Sequence, residues 1–232
     1  SAEVHSQRIV QMGESPSFVF NVGALGVDNC LQINKIERKE LEKELGIVFK
    51  EDSYLVTFHP ETISNQTIES QIEEFLAGLQ TQIKFQPIFV ITLPNTDPGH
   101  SVIIDKILSW ASLYPECVKV FKNLGLLRYL SIMSCVKAVL GNSSSGLIEA
   151  PAMKVATINV GDRQKGRLQG NSIINVPCER KAIEKAFLKL EKQDPNGIES
   201  VYGYGGTAQS IKSIVDQIIN DISLRKVFYD RH

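Results

Sequence analysis

The chain has 232 residues, 43% of them hydrophobic and 7% aromatic, with a formal net charge of −1. That length can bury a full core as one large domain or two small ones. The near-neutral balance and the lack of a long basic run speak against nucleic acid as a partner, and no apolar stretch approaches a membrane span, which speaks against a membrane. Cys30, Cys117, Cys135 and Cys178 form no CxxC pair and have no histidine at metal spacing. They read as free thiols in a reducing cytoplasm, with no metal site.

In chain order, residues 4 to 12 predict a short helix ending at Gly13, and Phe18 to Val22 predict a strand. Gly23 to Gly26 reads as a turn and as the place for a hinge, followed by a helical Val27 to Leu31. Residues 35 to 46, with Ile36, Leu41 and Leu45 among charges, predict an exposed amphipathic helix closed by Gly46. Tyr54 to Phe58 is a buried strand that must stop at Pro60, which leaves His59 at its carboxyl end.

A helix with Ile68, Ile72, Phe75, Leu76 and Leu79 at helical spacing comes next, then the buried strand Pro87 to Leu93. Pro94 to Gly99 is a turn by composition and holds Asn95. A helix over Val102 to Leu113, a strand over Val118 to Phe121 and a helix over Leu126 to Cys135 follow.

The stretch from Ala138 to Pro151 carries the most chemistry. An apolar run stops at Gly141, the hydroxyls of Ser143, Ser144 and Ser145 follow, and a helix bearing Glu149 opens after Gly146. Such a turn gathers unpaired N–H groups at the positive end of a helix, where an anion is the natural guest. The next strand, Val155 to Val160, runs into a loop with Arg163, Lys165 and Arg167, whose guanidinium forks suit phosphate. Read one at a time, the serines are better explained as an N-cap and the cations as a solvated loop. Placed on successive strand ends of one parallel sheet, they sit where ligands bind in such folds.

Strand Ile173 to Val176, helix Ala182 to Leu190, a flexible Tyr202 to Gly206 and a last helix with Ile211, Ile214, Val215, Ile218 and Ile219 on one face complete the chain. The alternation predicts an α/β, Rossmann-like doubly wound parallel sheet with helices on both faces.

Six motifs, in order, carry a resemblance over almost the whole chain: Ser-Ala-Glu-Val-His-Ser-Gln-Arg8, Phe-Asn-Val-Gly23, Thr-Phe-His-Pro60, Leu-Pro-Asn-Thr-Asp97, Gly-Asn-Ser-Ser-Ser-Gly-Leu-Ile-Glu149 and Gly-Asp-Arg-Gln-Lys-Gly-Arg167. The chain resembles the hydrolysing UDP-N-acetylglucosamine 2-epimerases of sialic acid biosynthesis. The resemblance implies the carboxyl-terminal domain of a GT-B-type two-domain fold. Residues 1–22 would be the last helix and strand of a largely missing amino-terminal Rossmann-like domain, and residues 23–232 the UDP-binding domain, inactive alone.

The same resemblance implies UDP and UDP-N-acetylglucosamine as ligands, no cofactor or metal, and a homodimer or higher oligomer for the full-length protein. It assigns Ser143 and Ser144 to the diphosphate, Glu149 to the ribose hydroxyls, Arg163 to the diphosphate or the orientation of the nucleotide, and Asn95 to the cleft wall. Ser145 and Arg167 are further candidates, with one of Lys165 and Arg167 expected to face the missing domain. His59 would be catalytic, its protonated ring and Arg163 stabilising the departing UDP as the sugar is eliminated across C1 and C2 and then hydrated to N-acetylmannosamine. Tyr204 stands where the family usually has Asp, so that loop receives no role. A GT-B glycosyltransferase domain, an epimerase for a diacetamido UDP-sugar of legionaminic acid synthesis, and a nucleotide-sugar sensor are the competing readings.

Overall fold

The computed structural model describes residues 1–220 and 225–230. Its strands are β1 (Ser53–Thr57), β2 (Ile88–Thr92), β3 (Val118–Phe121), β4 (Ala138–Gly141), β5 (Ala156–Val160) and β6 (Ile173–Val176). Its α-helices are α1 (Glu3–Gln11), α2 (Leu25–Gln32), α3 (Arg38–Leu45), α4 (Ile68–Gln80), α5 (His100–Leu113), α6 (Gly125–Met133), α7 (Ser145–Ala152), α8 (Arg180–Leu190) and α9 (Thr207–Ile218). The strands form one sheet in the order β3-β2-β1-β4-β5-β6, every neighbouring pair parallel. This is the doubly wound architecture that the alternation predicts.

Apolar runs in the central strands follow from burial on both faces. Tyr54, Val56 and Phe58 pack with Phe75, Phe89, Trp110 and Phe187 beneath α4, α5 and α8. Leu55 points the other way, into Leu41, Val90, Ile132 and Val139 beneath α3 and α6. Each fully buried Leu, Ile or Phe contributes about 1.5–3 kcal/mol, so both faces weigh in the stability.

The chain runs outward from β1 through β2 to β3, then returns to the other side of β1 and runs outward again from β4 to β6. The order therefore reverses between β1 and β4, where the carboxyl ends of the strands leave a crevice. Gly141 closes the approach there. Its φ is +123°, and a Cβ at that position would lie 2.0 Å from the Thr57 carbonyl oxygen. Only glycine lets β4 press this closely on β1.

The segment Phe18 to Val22 departs from expectation. It is a 3-10 turn over Pro16–Phe18 followed by irregular chain, not a strand. The reason is pairing: its β-forming residues have no strand edge beside them, and Phe18 and Phe20 stay 53% and 41% exposed. The Tyr202 to Gly206 loop is anchored instead of free. Tyr202 is buried, its hydroxyl donates to Leu168 O at 2.9 Å, and Ala24 N–H donates to Tyr202 O at 2.9 Å. Just beyond, α9 starts at Gly206 without a capping side chain of its own. Asp28 of α2 accepts from the N–H groups of Thr207 at 3.0 Å and Ala208 at 2.7 Å and serves as the cap.

Candidate functional site

The tips of β1, β2, β4 and β5 meet at the crevice. His59, two residues beyond β1, is buried, and its Nδ1 accepts from the Asn95 N–H at 3.3 Å beyond β2. Beyond β4, the Asn142 carboxamide meets the His59 peptide twice: Oδ1 accepts from His59 N–H at 2.7 Å and Nδ2 donates to His59 O at 2.8 Å. Beyond β5, Arg163 Nη1 donates to the Asn142 carbonyl at 3.2 Å, and Gln164 Nε2 donates to the same oxygen at 2.7 Å. Arg163 Nη2 also lies 3.7 Å from Asp97 Oδ2.

The serine turn sits between these groups. Ser144 is the N-cap of α7 and no side chain caps the helix. Ser143 Oγ accepts from Ser145 N–H at 3.4 Å, a long contact, while its carbonyl accepts from Gly146 N–H at 3.2 Å. A cavity of about 460 Å³ opens here, walled by Thr57, His59, Asn95, Tyr129, Ser143 and Ser145 among others. Its walls offer a helix amino terminus, hydroxyls, the Lys122 ammonium and one imidazole, which suit an anion with several oxygens, while the Arg163 guanidinium stands outside those walls on the Asn142 carbonyl.

His59 has its pKa lowered to about 4, first by burial and then by the Arg163 charge, against a smaller opposing effect of Asp97. Without ligand the ring is therefore neutral near pH 7, whereas the expectation of a protonated His59 concerns the ring facing a bound diphosphate. With Nδ1 accepting from Asn95, the hydrogen-bond pattern assigns the ring proton to Nε2. Burial also raises the pKa of Glu149, opposed by its own backbone N–H and by Ser145. The Glu149 carboxylate rests on α2 at Gly26, where a Cβ would lie 2.6 Å from Oε1. The Tyr129 hydroxyl is pushed up by burial, and the hydroxyls of Ser145 and Thr57 counter this only in part. Neither Tyr129 Oη nor Ser145 Oγ completes a hydrogen bond among the described residues.

Of the residues singled out in the sequence, His59, Asn95, Ser143, Ser145 and Arg163 come together directly or through Asn142. Ser144 stands at the head of α7, and Glu149 lies one turn along the same helix from Ser145. Arg167 is exposed; its charge acts on Tyr202, its backbone N–H donates to Gln164 O at 3.2 Å, and among the described residues no side-chain hydrogen bond joins it to the cluster. Lys165 is exposed and paired with Asp162 at 2.9 Å. No group of three or more metal-ligating side chains occurs among the described residues.

Sequence reasoning missed the supports. Glu61 Oε2 accepts from Asp162 N–H at 3.1 Å and so holds the loop that carries Arg163. Buried Gln71 of α4 holds Glu61 in turn, accepting from its N–H and donating to its carbonyl, both at 3.0 Å. Asn142 lies inside a motif that drew notice for other residues and Glu61 directly follows one, whereas nothing in the sequence distinguishes Gln71 from any helical glutamine.

A sequence profile of UDP-N-acetylglucosamine 2-epimerase matches residues 1–216. The chain is 41% identical over 190 residues to the polysialic acid biosynthesis protein P7 of Escherichia coli, covering 81% of this chain and 47% of that protein. It is 37% identical over 194 residues to the GDP/UDP-N,N'-diacetylbacillosamine 2-epimerase (hydrolyzing) of Campylobacter jejuni, covering 84% of this chain and 50% of that protein. It thus spans about half the length of these curated relatives. In fold it resembles the UDP-GlcNAc 2-epimerase of Methanocaldococcus jannaschii solved with UDP-GlcNAc and UDP, with a TM-score of 0.72 at 16% identity over 93% of this chain and 59% of that one. The profile match and the two close relatives agree that the chain belongs to the UDP-N-acetylglucosamine 2-epimerase family.

Proposed function

We propose that this chain is the nucleotide-holding part of a hydrolysing epimerase that converts UDP-N-acetylglucosamine and water to N-acetylmannosamine and UDP for sialic acid synthesis. The observation that carries the reading is the convergence of His59, Arg163 and the serine turn at the uncapped start of α7 on one crevice at the reversal of strand order. In this reading Ser143 and Ser144, with Ser145 beside them, and the α7 N–H groups receive the diphosphate. Arg163 pairs with it, Asn95 lines the cleft and Glu149 accepts from the ribose hydroxyls. The similarity to the E. coli polysialic acid protein supports the pathway, and four unpaired cysteines agree with a cytoplasmic site of action.

In the reaction a base removes the C2 proton, the C1–O electron pair leaves with UDP, and a 2-acetamidoglycal remains. Water then supplies hydroxyl at C1 while C2 takes a proton from the opposite face. The charge that develops on the β-phosphate falls to Arg163 and to His59, which as a neutral ring offers Nε2–H as a donor. Arrival of the anionic diphosphate beside His59 favours its charged form and raises its pKa, so the ring gains acid character when the ligand is bound. Proton removal at C2 is assigned to a carboxylate of an amino-terminal domain, with residues 1–22 as that domain's end and Arg167 close to it. On that assignment residues 23–232 alone hold nucleotide without turning it over, and the longer protein would work as a dimer or higher oligomer.

A second reading is an epimerase for a diacetamido UDP-sugar, favoured by the similarity to the C. jejuni enzyme. Product analysis decides between them. The protein carrying this sequence is incubated with UDP-N-acetylglucosamine and with the diacetamido UDP-sugar, without acceptor, and free sugar and UDP are measured. N-acetylmannosamine plus UDP from the first substrate, with one deuterium at C2 in D2O, is expected. A requirement for an acceptor sugar would instead point to a glycosyltransferase and end the reading.

A further inference from the structure

The end of β1 leaves a problem that the backbone does not solve. The β1–β4 ladder ends at the pair Thr57 and Gly141, and Pro60 has no N–H to extend it. His59, buried, would keep an N–H and a C=O without partners. Asn142 meets both with its side chain, since a carboxamide carries the same donor and acceptor as a peptide. The side chain therefore acts as one more rung of the ladder.

The main chain of Asn142 is used as well. Its N–H donates to Thr57 O at 3.2 Å, and its carbonyl takes the hydrogen bonds of Arg163 and Gln164. Asn142 is fully buried and each of its polar groups has a protein partner, so none is left for a ligand. Aspartate would lack the donor, glutamine would overreach by one methylene, and alanine would leave the His59 peptide unpaired.

We propose that Asn142 is a positioning residue: its carboxamide fixes the His59 peptide and its carbonyl fixes the Arg163 guanidinium, so one residue sets the spacing of two groups without touching nucleotide. The inference rests on the functional reading above for what the two groups do; the positioning itself is a property of the folded chain.

The test uses the full protein that contains this sequence, with Asn142→Ala and Asn142→Asp compared with wild type by 15N-histidine NMR and by steady-state UDP release. In wild type the His59 resonance, assigned with His59→Gln, should show the Nε2–H neutral tautomer and a midpoint well below 6.5. In Asn142→Ala the midpoint should rise by about one pH unit or more and both tautomers should appear, while kcat falls by about 30-fold and KM changes by less than about five-fold. Asn142→Asp, which keeps the acceptor, should also lose about ten-fold in kcat, and it serves if the alanine variant does not fold. A folded variant with unchanged His59 tautomer, midpoint and kcat would overturn the proposal. If wild type releases no UDP from any nucleotide sugar, the functional reading fails, and the His59 resonance alone decides the positioning. A His59 backbone N–H that exchanges in wild type as fast as an exposed amide overturns it without any variant.

Discussion

The two ends of the sheet hold cations in opposite conditions. At the amino end Lys137, just before β4, is closed between Asp52 at 2.8 Å and Glu191 at 2.6 Å. Burial alone would lower its pKa, but the two carboxylates outweigh burial and the net shift is upward. At the carboxyl end Arg163 has a carbonyl and one carboxylate at 3.7 Å. Volume does not separate the two ends, since cavities of about 440 Å³ and about 460 Å³ open at them. The difference lies in charge: Lys137 is neutralised within the protein, while Arg163 and the uncapped start of α7 keep positive potential for a ligand. The cavity at the amino end is lined by an ion-paired lysine, whereas the one at the carboxyl end holds hydroxyls of Tyr129 and Ser145 that have no partner among the described residues, and only the second is proposed as a binding site.

The largest effect should come from removing the imidazole. His59→Gln is expected to lower kcat for UDP release by about 10²–10³-fold, and steady-state kinetics on the full protein check it. The same residue gives a pH signature. Its folded pKa of about 4 lies below the ordinary 6.5, so between these values the unfolded chain binds the proton and the folded chain does not. Stability should therefore decline as pH falls from about 6.5 to about 4, and His59→Gln should flatten that slope in denaturant titrations. On the proposed reading, in which bound diphosphate raises the His59 pKa, UDP should bind more tightly below pH 6 than above it, which calorimetry at several pH values tests.

Next in size, Arg163→Ala should weaken UDP binding by about 1.5–3 kcal/mol if its fork is paired with phosphate. An unchanged dissociation constant removes Arg163 from the site and with it the contrast between the two ends. Gly26→Ala should push the Glu149 carboxylate aside and weaken UDP binding by about 0.5–1.5 kcal/mol, with a melting temperature that hardly moves because alanine favours the helix. The smallest effect belongs to the amino end. Lys137→Met should cost about 1 kcal/mol of stability or less and leave UDP affinity as it is. A loss of UDP affinity in that variant would show that the lower cavity also matters to the ligand.

Much of this was readable in the residues, and the failures have physical causes. Strand and helix order came from apolar runs broken by Gly and Pro, because a parallel sheet buried on both faces writes an unbroken signal. Phe18 to Val22 carried the same local signal and formed no strand, since a strand is completed by a neighbour that the run itself cannot supply. His59, Asn95 and the serine turn were placed at strand ends by Pro60, Pro94 and Gly141. What the sequence could not carry was who touches whom across the sheet. The Asn142 carboxamide standing in for a peptide, Gln71 holding Glu61, and the neutral state of His59 without ligand all depend on burial and distance, which no spacing encodes.

Gly141 has a consequence for how freely this chain can vary. Every other amino acid brings a Cβ, and here that carbon would fall on the Thr57 carbonyl and prise the central strands apart exactly where the crevice opens. In a saturation library screened only for soluble, folded protein, position 141 should come back as glycine while Leu126, exposed at the mouth of the cavity, drifts.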